Sequence, residues 1–307
     1  QYKNDFNDTT RADVTEIPQA PVGWKISDNQ SIRGYDAETK TIDPNDDSDL
    51  DAVGKDSNVV IEKENQKAVI RYVSTNGNRV LTTDEVTGKS GEAIAYSTTS
   101  QITEFKKQGY NLVSDEFTAG GAKVYDYDTA RDQVYTVTLS ERVEPVNPDN
   151  PTPQPNTPVN PGQPDSPRWP GTVENLDNKE SVSRTIHYVY EDGSKAKDDV
   201  VETLNFKRWS NVNLVTGHID FQDWTTNDDT FDKVVSPTIA GYTADKSEIP
   251  AVSGVQAKDQ DRVETVTYHK DAQKSVIRYV STNGNQVLKT DEVTGKSGEA
   301  IAYSTTS

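Results

Sequence analysis

The chain has 307 residues, no Cys and no Met, a net charge of −18, and only 32% hydrophobic residues. With a mean hydropathy of −0.82 it is too polar for one large core and suits several small domains joined by solvated segments. An acidic surface repels phosphate backbones and anionic bilayers, so nucleic acid and membrane surfaces are poor partners, and the missing cysteines exclude disulfides, thiolate metal sites and cysteine nucleophiles together.

Fourteen Tyr residues, with many Val, Thr and Ile, favour strands over helices, because such side chains pack well on a pleated surface. No apolar run approaches the length of a transmembrane helix or a signal-peptide core. The opening Gln1-Tyr2-Lys3-Asn4 is not an initiator sequence. The expectation is a fragment that does not itself insert into a membrane, with any export signal and anchor outside it.

In chain order, residues 1–65 read as the tail of a domain like the one at 176–272, because Pro21-Val22-Gly23-Trp24 echoes Ile239-Ala240-Gly241-Tyr242. Within this tail Asp43, Asn45, Asp47, Asp49 and Asp51 place oxygen ligands at alternate positions, as calcium loops do. Ser48 stands where such a loop needs glycine and Gly54 where it needs a bidentate Glu, so a solvated acidic loop is preferred to a calcium site.

Residues 66–143 predict a small α+β domain. Ala68–Val73 and Val80–Val86 are strand-like, with Asn76-Gly77 as a hairpin signal between them. Thr98 and Gln101 have capping-box spacing for a helix that buries Ile102 and Phe105 and stops at Gly109. Tyr110–Val113 and Gln133–Leu139 then return as strands, which gives the β-grasp order of elements. Residues 144–175 form the linker: Glu144–Gly171 holds ten of the fifteen prolines, which predicts a semi-rigid polyproline II spacer.

Residues 176–272 are richer in strand, at Val182–Tyr190, Val200–Phe206, Val212–Val215, Ile219–Trp224 and Val263–Tyr268, with a turn at Glu191–Ser194. Asp232–Val235 reads as the start of a short helix that Ser236-Pro237 limits. Residues 273–307 repeat 66–100 with only three differences, Ala68/Ser275, Arg79/Gln286 and Thr82/Lys289. A 207-residue offset between the copies is too long for a solenoid and indicates a tandem array of complete domains, a design that adds reach and avidity.

No catalytic motif stands out. Gly88-Lys89-Ser90 and its copy Gly295-Lys296-Ser297 lack the earlier glycine of a phosphate loop, since Thr83 and Thr290 occupy that position; a solvated turn is the reading. His187, His218 and His269 show no metal spacing, and Asp198-Asp199 and Asp228-Asp229 are unremarkable in so acidic a chain. No cofactor is expected. Trp24, Trp169, Trp209 and Trp224 could stack on sugars; Trp169 and Trp224 are expected in the core, which leaves Trp209, between Arg208 and Ser210, as the ligand-binding candidate.

The stretches Arg184–Gly193, Val215-Thr216-Gly217 and Phe231–Tyr242 closely resemble the second domain type of lactobacillal mucus-binding (Mub, MucBP-related) repeats. Asp84–Gly91, followed by Gly109–Asp115, resembles the first domain type, and Pro167–Thr172 is similar to the same family. The resemblance implies a wall-attached, exported, non-enzymatic adhesin built from tandem small β-grasp (ubiquitin-like) domains, α+β and β-rich, joined by linkers in an elongated array. It makes 1–65 and 176–272 second-type domains and 66–143 first-type, with a truncated first-type start at 273–307. It implies mucin glycoproteins and their glycans as partners, with immunoglobulin capture as an alternative; the near-identical repeats fit a structural stalk as well. It supplies no motif for a binding site.

Overall fold

The computed structural model describes residues 15–16, 19–28, 34–36, 38–39, 41–42 and 59–305. The acidic candidates Asp43, Asn45, Asp47, Asp49 and Asp51 lie outside the described residues. The chain divides into two compact units, one of Gln1–Val143, Pro155–Gly171 and Asn213–Gly217, the other of Glu144–Gln154, Thr172–Val212 and His218–Ser307.

The first unit begins with short strands: β1 (Thr15–Glu16), β2 (Trp24–Ile26), β3 (Tyr35–Asp36), β4 (Thr41–Ile42) and β5 (Ile61–Lys63). β4 lies between β1 and β3, and β2 pairs antiparallel with β5. Its main body is β6 (Asn65–Ser74), β7 (Arg79–Lys89), helix α1 (Thr99–Lys107), β8 (Tyr110–Asp115) and β9 (Gln133–Glu141). The sheet order is β7-β6-β9-β8, with β9 parallel to β6 and antiparallel to β8. Alternation along the strands sends Ala68, Ile70, Tyr72, Val137 and Leu139 to one face, where Ile102 and Phe105 of α1 close the core.

Two local expectations change. The β6–β7 turn places its left-handed residues at Gly77 (φ 69°) and Asn78 (φ 52°), one position later than an Asn76-Gly77 turn would. Thr98 does not cap α1 with its side chain; its hydroxyl instead donates to Asp115 Oδ2 at 2.6 Å, a stronger, charge-assisted bond.

The proline-rich stretch is not an extended spacer throughout. After β10 (Val143–Val146), residues 156–169 fold back on themselves. Asn156 N–H donates to Trp169 O (2.9 Å), Trp169 N–H to Thr157 O (3.0 Å) and Val159 N–H to Pro167 O (2.9 Å), and Pro167 is buried. The residues between the prolines, which keep their N–H groups, make these bonds, and Gly162 (φ 85°) supplies the reversal.

The second unit contains β11 (Lys179–Tyr190), β12 (Lys195–Lys207), β13 (Ser210–Asn213), β14 (Ile219–Phe221), β15 (Val234–Val235), β16 (Tyr242–Ala244), β17 (Glu248–Ile249), β18 (Arg262–Lys270), β19 (Ala272–Val280) and β20 (Val287–Lys296). Its principal sheet has order β12-β11-β18-β16, with β18 parallel to β11. This is the connectivity of the first sheet without its helix: a hairpin, an edge strand, and a last strand returning to the centre. Where a short helix was expected at Asp232–Val235, Val234 and Val235 pair as strand β15 with Ile249 and Glu248. Two β-branched residues just before Ser236-Pro237 favour that outcome. The core of this sheet forms two clusters, one around Val182, Phe206 and Phe231, the other around Ile186, Tyr188, Val266 and Tyr268. Arg184 lies between Val182 and Ile186 in the same inward-facing row and is 1% exposed.

Candidate ligand-binding site

In the first unit, the start of β6, the end of β7 and the loop before β9 enclose an open cavity of about 460 Å³, whose lining includes three cations, Lys67, Lys89 and Arg131, and two carboxylates, Asp128 and Asp132, beside Thr87 and Thr129. The antiparallel register sets Gln66 opposite Gly88 and Lys67 opposite Thr87, and side chains of both strands therefore reach the same rim. Gly88 is required here, because a Cβ on it would lie 2.1 Å from the Tyr125 ring. Lys67 is held by Asp132 (3.1 Å) and Glu85 (3.2 Å), which raise its pKa above the ordinary lysine value. Lys89 and Arg131 have no carboxylate partner among the described residues, so the rim offers two unspent cations. Together with the exposed hydroxyls of Thr87 and Thr129, they can receive an anionic, hydroxyl-rich ligand. Gly88 and Lys89 end strand β7 and Ser90 is 1% exposed, so this stretch is not the solvated turn read from the sequence.

In the second unit the tryptophans behave differently from one another. Trp224 is partly buried against the cluster of Val182, Leu204, Phe206 and Phe231. Its ring is covered by Arg208 (4.3 Å to the centroid) and approached by Lys258 (5.5 Å). Arg208 also stacks on Phe221 at 4.0 Å and donates from Nη2 to Asp177 Oδ2 at 3.0 Å. Trp209 is 47% exposed, whereas Trp169 is half-buried and Trp24, in β2, is 36% exposed. A second cavity of about 440 Å³ is lined by polar groups such as Thr203, Asn205, Lys207, Thr225, Thr226 and Asp228. Trp209 is not part of its lining. The structure therefore does not bring the sequence candidate Trp209 together with either cavity.

His187 meets Asp199 at 2.9 Å and His269 meets Glu191 at 2.5 Å, both on exposed strand surfaces. Among the described residues no three His, Cys, Asp or Glu side chains converge as a metal site, and no helix is long and apolar enough to cross a membrane. Sequence reasoning missed Lys89 and Arg131. The available signal was the Gly-Lys pair repeated as Gly295-Lys296, but Arg131 comes from a distant loop that only the fold brings near.

Three family models match the chain: the Muc B2-like domain over residues 173–272, the mucin binding domain MucBP_2 over 66–141, and the MucBP domain over 276–307. The crystal structure of Mub-RV is 26% identical and covers 67% of this chain and 99% of its own, with a TM-score of 0.53. The type 2 repeat of the mucus binding protein MUB from Lactobacillus reuteri is 28% identical over 67% of this chain and 100% of its own, with a TM-score of 0.44. The MucBP domain of the adhesion protein from Pediococcus pentosaceus is 36% identical over 30% of this chain and 98% of its own, with a TM-score of 0.27. No curated protein matches the chain. The class is thus a β-rich, mucus-binding adhesin-type repeat, drawn from mucin-binding domain families rather than enzyme families. The chain belongs to the MucBP/Mub repeat family.

Proposed function

We propose that this chain is an extracellular adhesin segment that binds mucin glycans weakly at each repeat, with useful attachment arising from repetition. Linked sites can gain about 10²–10⁴ in avidity without new contacts. Family membership carries the reading: the matching models are mucin-binding domains, and relatives are described as mucus-binding or mucin-binding. On this reading 66–143 and 176–272 are β-grasp domains, 144–175 connects them, and 1–65 and 273–307 belong to neighbouring domains. The rim of Lys89 and Arg131 suits the carboxylate or sulfate groups of acidic mucin sugars, and Trp209 offers a face for a neutral pyranose.

Purified mucin captured on a surface distinguishes the two sites. Lys89→Ala and Arg131→Ala each weaken binding by about tenfold if acidic sugars use the rim, the worth of one charge-assisted hydrogen bond apiece. Trp209→Ala gives a comparable loss if stacking dominates. Unchanged binding in both overturns these site assignments.

Immunoglobulin capture is the second reading, and one observation favours it. Edge strand β8 exposes Leu112 (39%) and Val113 (57%) beside a backbone edge that no strand pairs among the described residues, the arrangement used for strand addition. Immunoglobulin binding that survives mucin competition and is lost in Val113→Lys would support it.

A further inference from the structure

On the tandem-domain reading, a domain passes directly into the next, with no linker, twice in the chain. In the first unit β5 ends at Lys63 and β6 begins at Asn65, so the single residue Glu64 connects them. In the second unit Asp271 alone connects β18 to β19. A one-residue connection would act as a swivel if its backbone were free.

It is not free at either place. Glu64 N–H donates to Gly23 O at 2.8 Å, and Glu64 O accepts from Ser90 N–H at 3.0 Å. Asp271 N–H donates to Gly241 O at 2.9 Å, and Asp271 O accepts from Ser297 N–H at 2.9 Å. The connector is thus tied backward to the domain it leaves and forward to the domain it enters. The serine hydroxyl adds a bond to the same carbonyl, at 3.4 Å from Ser90 and 3.3 Å from Ser297. Gln66 and Gln273 hold those hydroxyls from the following strand, at 3.2 and 3.1 Å. Lys63–Glu92 (3.6 Å) and Lys270–Glu299 (3.7 Å) span the same step.

Both clasps need a glycine on the outgoing side. Gly23 and Gly241 have φ of 82° and 81°, a region that favours glycine. A Cβ on them would come within 3.0 Å of Ser90 Cβ and 3.2 Å of Ser297 Cβ. At the first joint the Tyr127 ring also packs over Gly23, since that Cβ would lie 2.1 Å from it.

We propose that these residues form a docking surface for the end of the preceding repeat, a clasp that makes the step between repeats a stiff joint instead of a hinge. Its partner is a domain ending in a strand beside a left-handed glycine turn, and its acceptor is the Gln-and-Ser pair of the next domain. The proposal rests on the tandem-domain reading above. Its function is mechanical: tension on an attached array passes along a continuous strand whose connecting residue cannot rotate.

Backbone amide hydrogen exchange on the full 307-residue chain, followed by NMR, tests it. The clasp predicts exchange at Glu64, Ser90, Asp271 and Ser297 slowed at least about 100-fold relative to unstructured peptide. Exchange at Glu64 and Ser90 within about fivefold of the unstructured rate overturns it. Gly23→Val should speed exchange at Glu64 and Ser90 by about tenfold or more while Ile70 and Val137 stay protected. Should Gly23→Val also expose Ile70, Gln66→Ala gives the separate reading, with the same selective loss expected; no change at Glu64 in that variant contradicts the clasp. Mucin plays no part in these measurements, so failure here leaves the adhesin reading standing, and absent mucin binding leaves the clasp standing.

Discussion

Arg184 is the largest of the fully buried side chains among the described residues. Its guanidinium donates from Nε to Glu202 at 2.7 Å, from Nη1 to Pro250 O at 3.0 Å, and from Nη2 to Asp232 O, and it lies 5.1 Å over the Phe231 ring. A buried guanidinium with all three nitrogens engaged is a strong constraint on the surrounding loops. Arg184→Ala should destabilise the second unit by about 2–4 kcal/mol in denaturant unfolding, since it empties a fully buried position and leaves three part-buried acceptors without their donor; a loss below about 1 kcal/mol would contradict this role. Alternation alone puts Arg184 in the inward row with Val182 and Ile186, but nothing in the sequence announces the acceptors that let an arginine be buried there. In the first unit Tyr96 donates to Asp84 and shares a 2.9 Å bond with Tyr72. Burial and then the Asp84 carboxylate raise the Tyr96 pKa well above the usual phenol range. Its contribution to stability is therefore complete below about pH 10, where the unfolded phenol is still protonated, and is lost as pH rises through the shifted value. The unfolding midpoint should fall between about pH 9 and about pH 11.5, and Tyr96→Phe should flatten that fall; an identical alkaline profile in the variant would contradict it.

At the scale of elements, periodicity located most strands because alternation reports burial directly. Gln133–Leu139 and Val182–Tyr190 were visible for that reason, and the extra residues at their ends follow from ladder pairing that no side chain announces. Helix α1 was legible through Ile102, Phe105 and Gly109, whose φ of 95° ends it as expected. A Cβ on Gly109 would also lie 2.8 Å from Leu214 Cβ, a contact invisible in the sequence. Gly109→Ala should cost about 1–3 kcal/mol of thermal or denaturant stability through backbone strain and that contact; a neutral change would show that both relax freely. The proline-rich stretch departs from an extended spacer over residues 156–169, because proline count reports missing donors and not where the remaining N–H groups point. The amides of Asn156, Val159 and Trp169 should exchange slowly, whereas an extended spacer would leave all three at the unstructured rate.

For the whole molecule, composition narrowed the expectations but could not locate a site. Most ion pairs are solvent-exposed, such as Lys195–Asp198 and Lys233–Glu248, and each contributes little. The net charge of −18 leaves no general attraction for acidic mucins, so the proposed recognition would have to fall to local features such as the Lys89 and Arg131 rim. That rim combines a strand end with a loop residue more than forty positions away, a juxtaposition created by the fold. The family was legible because its motifs are long stretches of core and turn residues. The site was not, because isolated surface cations carry no pattern. The most direct test of the adhesin reading is binding of the full chain to immobilised purified mucin before and after enzymatic removal of the glycans. The account predicts measurable, concentration-dependent binding that disappears with the glycans. Equal binding to intact and stripped mucin, or none to either, would contradict it.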